Sequence, residues 1–254
     1  MTTITAAPGP ARTWDPRSDR KAYIVWIACV WAAIIAGFGL DFARYLGETP
    51  APPLILHFHG AVYVAWLALV TTQVLLVEGG KVRLHRTLGW WLAGLSAVMV
   101  PLGLVAALVD KARVFGRPDA DLQFLSLEFE EMFAFSTFMI TGVLWRKHAA
   151  AHKRLMILTA VSISDAGFAR LWQSTIKVAP PGPFGWWLQY FWGIALMLVA
   201  MAAWDLWRRR RIHPAVLFGA AVLLGGEVAA TALYFTPAWA TAMTGLVQAW
   251  GWKG

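Results

Sequence analysis

The apolar residues of this 254-residue chain occur in long blocks separated by short polar connections. A helix needs about 20 mostly apolar residues to cross a hydrocarbon core of roughly 30 Å, and seven blocks reach that length. Proline- or glycine-rich breakers stand between several of them, as at 49–53 and 180–183. The pattern predicts an all-α integral membrane bundle of seven transmembrane helices. The predicted spans are 22–45, 54–77, 87–109, 126–145, 154–177, 187–207 and 214–235.

The two ends of the chain differ from these blocks. Residues 1–21 are polar and contain three prolines, which predicts a disordered cytoplasmic tail. Residues 236–254 are of mixed character with three tryptophans, which predicts an interfacial segment after the transmembrane domain 22–235. With the N-terminus inside, 15 Lys and Arg residues fall on that side and 6 on the other. The positive-inside rule therefore predicts a cytoplasmic N-terminus and an outer C-terminus.

Composition excludes several classes of protein. Apolar residues make up 59% of the chain and charged residues 14%, and the mean hydropathy is +0.56, which excludes an ordinary soluble domain and a disordered protein. The net charge of +8 comes from short basic clusters between the blocks, so it indicates topology and a lipid bilayer as partner, not nucleic acid. The single cysteine, Cys29, excludes a disulfide framework.

Ionisable side chains inside the predicted spans are the first candidates for function. Such a side chain at the centre of a bilayer costs on the order of 2.5–3.5 kcal/mol. Five predicted spans bring polar groups into the outer half of the membrane, and the inner half has almost none. This one-sided distribution predicts a polar cavity near the outer surface. The residues are Asp41, Arg44, His57, His59, Glu128, Glu130, Glu131, Asp165, Arg170, Gln173 and Glu227.

Four of these residues are predicted metal ligands: His57, His59, Glu128 and Glu131. Imidazole and carboxylate together suit iron, zinc or copper. Residues 128 and 131 are three apart and share a helix face. An alternative is that the acids meet water while the histidines bond to a neighbouring helix end, and a proton or solute path is a further alternative.

Asp165 and Arg170 are the predicted catalytic pair. A lone buried charge is strongly penalised, so Arg170 is expected to pair with Asp165 or Glu227. The pair is either structural, fixing the register of two helices, or a clamp for an anionic substrate group.

A second group of histidines lies toward the inner side: His85, His148, His152 and His213. Residues 148 and 152 have metal-ligand spacing if the segment is helical. Four basic residues surround them and fit anionic lipid headgroups better than a cation: Arg146, Lys147, Lys153 and Arg154. His213 precedes Pro214 and is predicted to begin a helix.

Several short motifs resemble an uncharacterised family of bacterial multi-pass membrane proteins. The resemblance covers nearly the whole chain from about residue 22, and it implies a multi-pass bundle in the bacterial inner membrane. The motifs are Leu84-His85-Arg86-x-Leu88-Gly89, His152-Lys153-Arg154-Leu155-Met156, Asp165 with Ala169-Arg170, His213-Pro214-Ala215 and Thr236-Pro237-Ala238-Trp239.

The chain is also remotely similar to the two-haem transmembrane cytochromes b that pass electrons from ascorbate. Those proteins place a histidine in a Leu-His-x-x-Leu-Gly setting and hold haem between histidines of adjacent spans. By that resemblance His85 and His152 would bind one haem. The outer pair is incomplete, because the fourth span carries glutamates where a second histidine would be needed.

Three functions are weighed on the sequence, and a structural or assembly role, in which the protein binds a partner complex, also remains open. The leading one is a metal- or haem-binding membrane protein with redox chemistry. The second is a metal-dependent membrane hydrolase, in which zinc activates water. The third is a proton-coupled transporter or sensor of a small solute, with Arg170 and the acids forming its site.

Overall fold

The computed structural model describes residues 19–251, and within them every regular element is an α-helix. Residues 1–18 of the predicted tail 1–21, and residues 252–254, lie outside the described residues. The predicted spans match the observed helices to within a few residues, except at 154–177. The helices are α1 (Arg20–Leu46), α2 (Leu54–Glu78), α3 (Val82–Arg113), α4 (Leu125–Leu144), α5 (Ala149–Ser162), α6 (Asp165–Thr175), α7 (Pro183–Arg209), α8 (Pro214–Tyr234) and α9 (Pro237–Trp250).

Among the described residues, five helices are long and apolar enough to cross a membrane: α1, α2, α3, α7 and α8. The count is six if α5 and α6 together form one broken span. The chain is therefore an all-α, multi-pass membrane protein. Helix α4 has 20 residues but carries three glutamates in its first two turns, which lowers its hydropathy. Helix α9 has 14 residues, about 21 Å of helix, and is too short to span.

The helices enclose α5 in the centre of the bundle. Neighbours around the ring are α1, α2, α3, α4, α8, α7 and α6, and α6 closes the ring against α1. Helix α5 contacts α1, α4, α7 and α8, and most of its residues are buried. We name the two ends of the bundle by α4: the Glu side is where α4 begins, and the Arg side is where α4 ends.

The fifth predicted span, 154–177, is not one continuous helix. Helix α5 ends at Ser162, α6 begins at Asp165, and the two axes differ by 43°. The Ser164 hydroxyl donates to the Val161 carbonyl at 2.6 Å, and the Asp165 carboxylate accepts from the Ala166 N–H at 2.7 Å. Serine and aspartate offer the backbone such alternative bonds, which explains the break in an apolar segment.

Helix α6 packs on α1 with almost no space between the backbones. A Cβ added to Gly37 would lie 2.1 Å from the Gly167 carbonyl oxygen, and one added to Gly167 would lie 2.7 Å from the Ala33 carbonyl oxygen. Glycines at such contacts let transmembrane helices approach closely. This contact fixes α6, and with it Asp165 and Arg170, against α1.

Candidate functional site

Five carboxyl groups come together inside the bundle, toward the Glu side, and we call them the carboxylate cluster. Helix α4 supplies three, α6 supplies one at its first residue, and α8 supplies one. Each interacts electrostatically with at least one other member. The cluster consists of Glu128, Glu130, Glu131, Asp165 and Glu227.

One contact in the cluster joins α4 to α8. The Glu130 carboxyl lies against the α8 backbone, because a Cβ added to Gly226 would be 2.6 Å from Glu130 Oε1. Glu227 follows directly and is fully buried, and the Trp187 indole N–H donates to Glu227 Oε2 at 2.9 Å. Glycine at 226 therefore makes room for a carboxyl group from the neighbouring helix.

Several buried polar atoms of this region have no hydrogen-bond partner among residues 19–251. They are Glu128 Oε2, Glu130 Oε1, Glu227 Oε1 and His59 Nδ1. Buried polar groups in proteins are nearly always bonded to protein or to ordered water. Their convergence indicates a place for protons, water or a small polar ligand.

The structure corrects the predicted pairing of Arg170. Its guanidinium forms an ion pair with Asp41 of α1 at 3.3 Å, rather than with Asp165 or Glu227. It also lies over the Phe38 ring at 4.2 Å and donates to the Ala166 carbonyl at 2.9 Å. Arg170 is within electrostatic range of Asp165 but is held by α1.

Lys111 is the second cation near the cluster, and the sequence analysis did not single it out. It is buried near the end of α3, with its ammonium 3.8 Å from Glu128 Oε1 and 4.6 Å from the Phe124 ring centroid. Lys111 balances Glu128, while Glu130, Glu131 and Glu227 have no ion-pair partner within the described part of the chain.

The four predicted metal ligands do not form one group. His57 is exposed, with Nδ1 3.3 Å from the Tyr45 hydroxyl, whereas the His59 ring lies 4.1 Å from the Tyr63 ring. Glu128 pairs with Lys111, and Glu131 belongs to the carboxylate cluster. Between residues 19 and 251, no three His, Cys, Asp or Glu side chains are arranged to hold a metal ion.

On the Arg side, the side chains of His85 and His152 lie close to each other. Their ring centroids are 6.2 Å apart with an interplanar angle of 76°. His152 Nδ1 lies 2.8 Å from the Gly142 carbonyl oxygen. These two imidazoles would be the residues to hold a metal ion or a haem on this side of the bundle. His148 lies before α5 and contacts Trp145 instead, so it shares no helix face with His152.

The structure also corrects the assignment of Lys153 and Arg154 to lipid headgroups. Arg154 is 1% exposed, and its guanidinium makes two hydrogen bonds to Asp205 of α7. The Lys153 ammonium donates to Asp19 at 2.9 Å, and Arg209 bonds to both aspartates. Sequence reasoning missed Asp19 and Asp205. For Asp205 a signal was available, since it is the single acid within the apolar segment 187–207 and a buried charge requires a partner.

His213 confirms the prediction of a helix-start residue. Its Nδ1 accepts the Ala215 N–H at 3.0 Å, and its backbone N–H donates to Asp205 at 3.0 Å. Burial, with the positive charge of Arg154 nearby, lowers the pKa of His213 to about 4. The pKa of Asp19 also lies below its usual value, although burial raises it, because the positive charges of Lys153 and Arg209 outweigh the effect of burial.

Comparisons with known protein families, curated proteins and solved structures give no match to this chain. The carboxylate cluster and the His85–His152 pair are therefore the two features from which a function can be inferred.

Proposed function

We propose that the chain is a seven-span protein of the bacterial inner membrane whose carboxylate cluster binds protons together with a small solute, as a transporter or sensor. The observation that carries this proposal is the burial of Glu130 against α8 and of Glu227 near it, with no ion-pair partner for either in the described residues. An unpaired carboxylate in an apolar interior is costly, so such groups take up protons or a ligand.

The seven-span topology rests on α4. This helix is long enough to cross the hydrocarbon core, and it packs between α3, α5 and α8. Its glutamates face the interior of the bundle, where they do not meet lipid. With α4 and the broken pair α5–α6 counted, the charge bias of 15 to 6 supports an N-terminus in the cytoplasm and the Glu side outside.

The break between α5 and α6 supports a binding site at the cluster. Transporters place discontinuous helices at their substrate sites, because unwound backbone is tolerated within a membrane only where it lies inside protein or lines a cavity. Asp165 is the first residue of α6, and Arg170 lies one and a half turns later. In this proposal Asp165 exchanges protons with the glutamates of the cluster, and Arg170 orients the solute.

Infrared spectroscopy and proton flux test this proposal. Purified protein at neutral pH should show the carbonyl band of protonated carboxyl groups, and Glu130→Gln and Glu227→Gln should each reduce it. In liposomes with an internal pH dye, the same variants should reduce proton movement driven by a potassium diffusion potential. Asp119→Asn is the control, because Asp119 is exposed and pairs only with Arg117 among the described residues. An unchanged band in both glutamine variants would contradict the proposal.

A second candidate function is one-electron transfer through a haem held by His85 and His152. His85 and His152 would hold the haem, because their ring centroids are 6.2 Å apart and the contact of His152 Nδ1 with the Gly142 carbonyl oxygen fixes the orientation of one ring. A haem bound there would supply single-electron chemistry. The chain's own contribution is to orient both rings.

Elemental analysis and absorbance spectra separate the two functions. A haem spectrum with about one iron per chain, lost in His85→Ala and His152→Ala but kept in His148→Ala, would establish the haem. Iron, zinc or copper that is lost in His57→Ala or Glu131→Ala would instead restore the predicted metal site and the hydrolase alternative. If the purified protein contains none of these metals, the haem and hydrolase functions are excluded and only the proton-linked function remains.

A further inference from the structure

A groove runs along the outside of the bundle between α3 and α4. Its volume is 240 Å³, below the roughly 300–1,000 Å³ of typical small-molecule pockets, so it suits a narrow flexible chain better than a compact ligand. Small side chains on α3 leave the space open. The principal lining residues are Ala93, Ala97, Val100, Ser136, Ile140 and Val143.

Within the described part of the chain, the groove offers no free polar group, although two serines line it. The Ser96 hydroxyl donates to the Leu92 carbonyl at 2.8 Å and accepts from the Trp66 indole at 2.7 Å. The Ser136 hydroxyl donates to the Met132 carbonyl at 2.6 Å. Both hydroxyl groups are thus engaged within the bundle, and the occupant must be apolar.

The Arg-side end of the groove is basic. The Arg146 guanidinium lies 5.4 Å from the Trp90 ring centroid and donates to the carbonyl of Val143, a lining residue, at 3.1 Å. Trp90 is on α3, three residues before the lining residue Ala93, and Arg146 follows α4, three residues after the lining residue Val143, so this contact joins the two helices at the Arg-side end of the groove. Arg86 is one turn before Trp90 on the same helix face.

We propose that this groove is a specific site for an anionic phospholipid. One acyl chain fills the groove between α3 and α4, and the phosphate group binds Arg146 with Arg86 nearby. The surroundings support this occupant, because Trp90, Ile140 and Leu144 are exposed apolar side chains next to the groove. Basic residues at the cytoplasmic surface of a membrane attract anionic lipids, and the Arg side is the cytoplasmic side in the proposed topology.

Native mass spectrometry of the delipidated full chain tests the site. Phosphatidylglycerol and phosphatidylcholine of equal chain length are titrated in detergent. We expect one phosphatidylglycerol to bind more tightly than phosphatidylcholine. Arg146→Gln should weaken phosphatidylglycerol binding roughly fivefold, the effect of one basic residue near an anionic surface, without changing phosphatidylcholine binding.

Two further variants separate the headgroup from the chain. Ala97→Trp fills the groove and should abolish specific binding of both lipids. Arg208→Gln is the matched control: Arg208 also lies over tryptophan rings, at 5.7 Å from Trp204 and 5.6 Å from Trp207, but at the end of α7 and away from the groove. Equal affinity for both lipids, unchanged binding in Ala97→Trp, or an equal loss in Arg208→Gln would overturn the proposal. A lipid-free dimer would assign the groove to a second copy of the chain and would overturn it too.

Discussion

Arg154 of α5 and Asp205 of α7 form a doubly hydrogen-bonded ion pair at the Arg side, although they are 51 residues apart, and each is 1% exposed. The pair ties the central helix to the outer ring. It also joins Arg209, His213 and Asp19 in one network, which anchors the start of α1 and the start of α8.

Removing one charge of this pair should destabilise the protein strongly. Arg154→Gln leaves Asp205 with one fewer cation in a buried site, and losses of about 3–5 kcal/mol are typical of such changes. Thermal unfolding in detergent measures the effect. Arg208→Gln, on the same side of the bundle, should change stability far less. The double variant with Asp205→Asn should recover part of the loss, and equal stability of Arg154→Gln and Arg208→Gln would contradict the role of the pair.

Gly226→Ala should alter the carboxylate cluster without unfolding the protein. The new methyl group would meet Glu130 Oε1 at 2.6 Å, and a flexible carboxyl end can move away. We expect a changed carboxyl band in the infrared spectrum and little change in melting temperature. Gly225→Ala is the control, because a Cβ there meets nothing within 4 Å. Similar spectra for the two variants would show that Glu130 does not depend on the Gly226 contact.

Gly37→Ala should destabilise the contact between α1 and α6. The added Cβ would lie 2.1 Å from a backbone oxygen, which cannot move aside as a side chain would, so a loss of about 1–3 kcal/mol or more is expected. Gly39→Ala, two residues later in open space, should be neutral or slightly stabilising. Melting temperatures of the two variants provide the comparison, and a neutral Gly37→Ala would show that α1 and α6 are further apart.

Lowering the pH should destabilise the Arg side of the protein, because His213 becomes protonated. Burial, with Arg154 nearby, lowers its pKa to about 4, against about 6.5 in an unfolded chain. The stability that the neutral imidazole contributes is therefore complete above about pH 6.5 and is lost as the pH falls toward 4. His213→Asn keeps an acceptor for the Ala215 N–H but does not titrate. Its melting temperature should fall less than that of the wild type over this range, and parallel curves would exclude the effect.

The sequence alone predicted the all-α class and most of the helices, but not the break between α5 and α6. Most of the apolar blocks end where the helices end, as at Leu46, Glu78 and Tyr234, because length, hydropathy and proline or glycine act locally. It also indicated the polar groups toward the Glu side, because a charge inside a membrane is costly. The expectation that the other half holds almost none was wrong, because Arg154, Asp205 and Arg209 are buried together on the Arg side. The resemblance to cytochromes b named His85 and His152 as a haem-binding pair, which stays a prediction.

The tertiary structure decided which polar groups meet. Arg170 pairs with Asp41 rather than Asp165, Glu130 reaches Gly226, and the predicted ligand His57 faces away beside Tyr45. The break before Asp165 also appeared only in the structure, although the serines were a local signal. Hydropathy fixes how deep a residue lies, but not how its helix is rotated or which helix is its neighbour. Those depend on close packing of side chains from distant parts of the chain, and that packing sets the distances from which function is inferred.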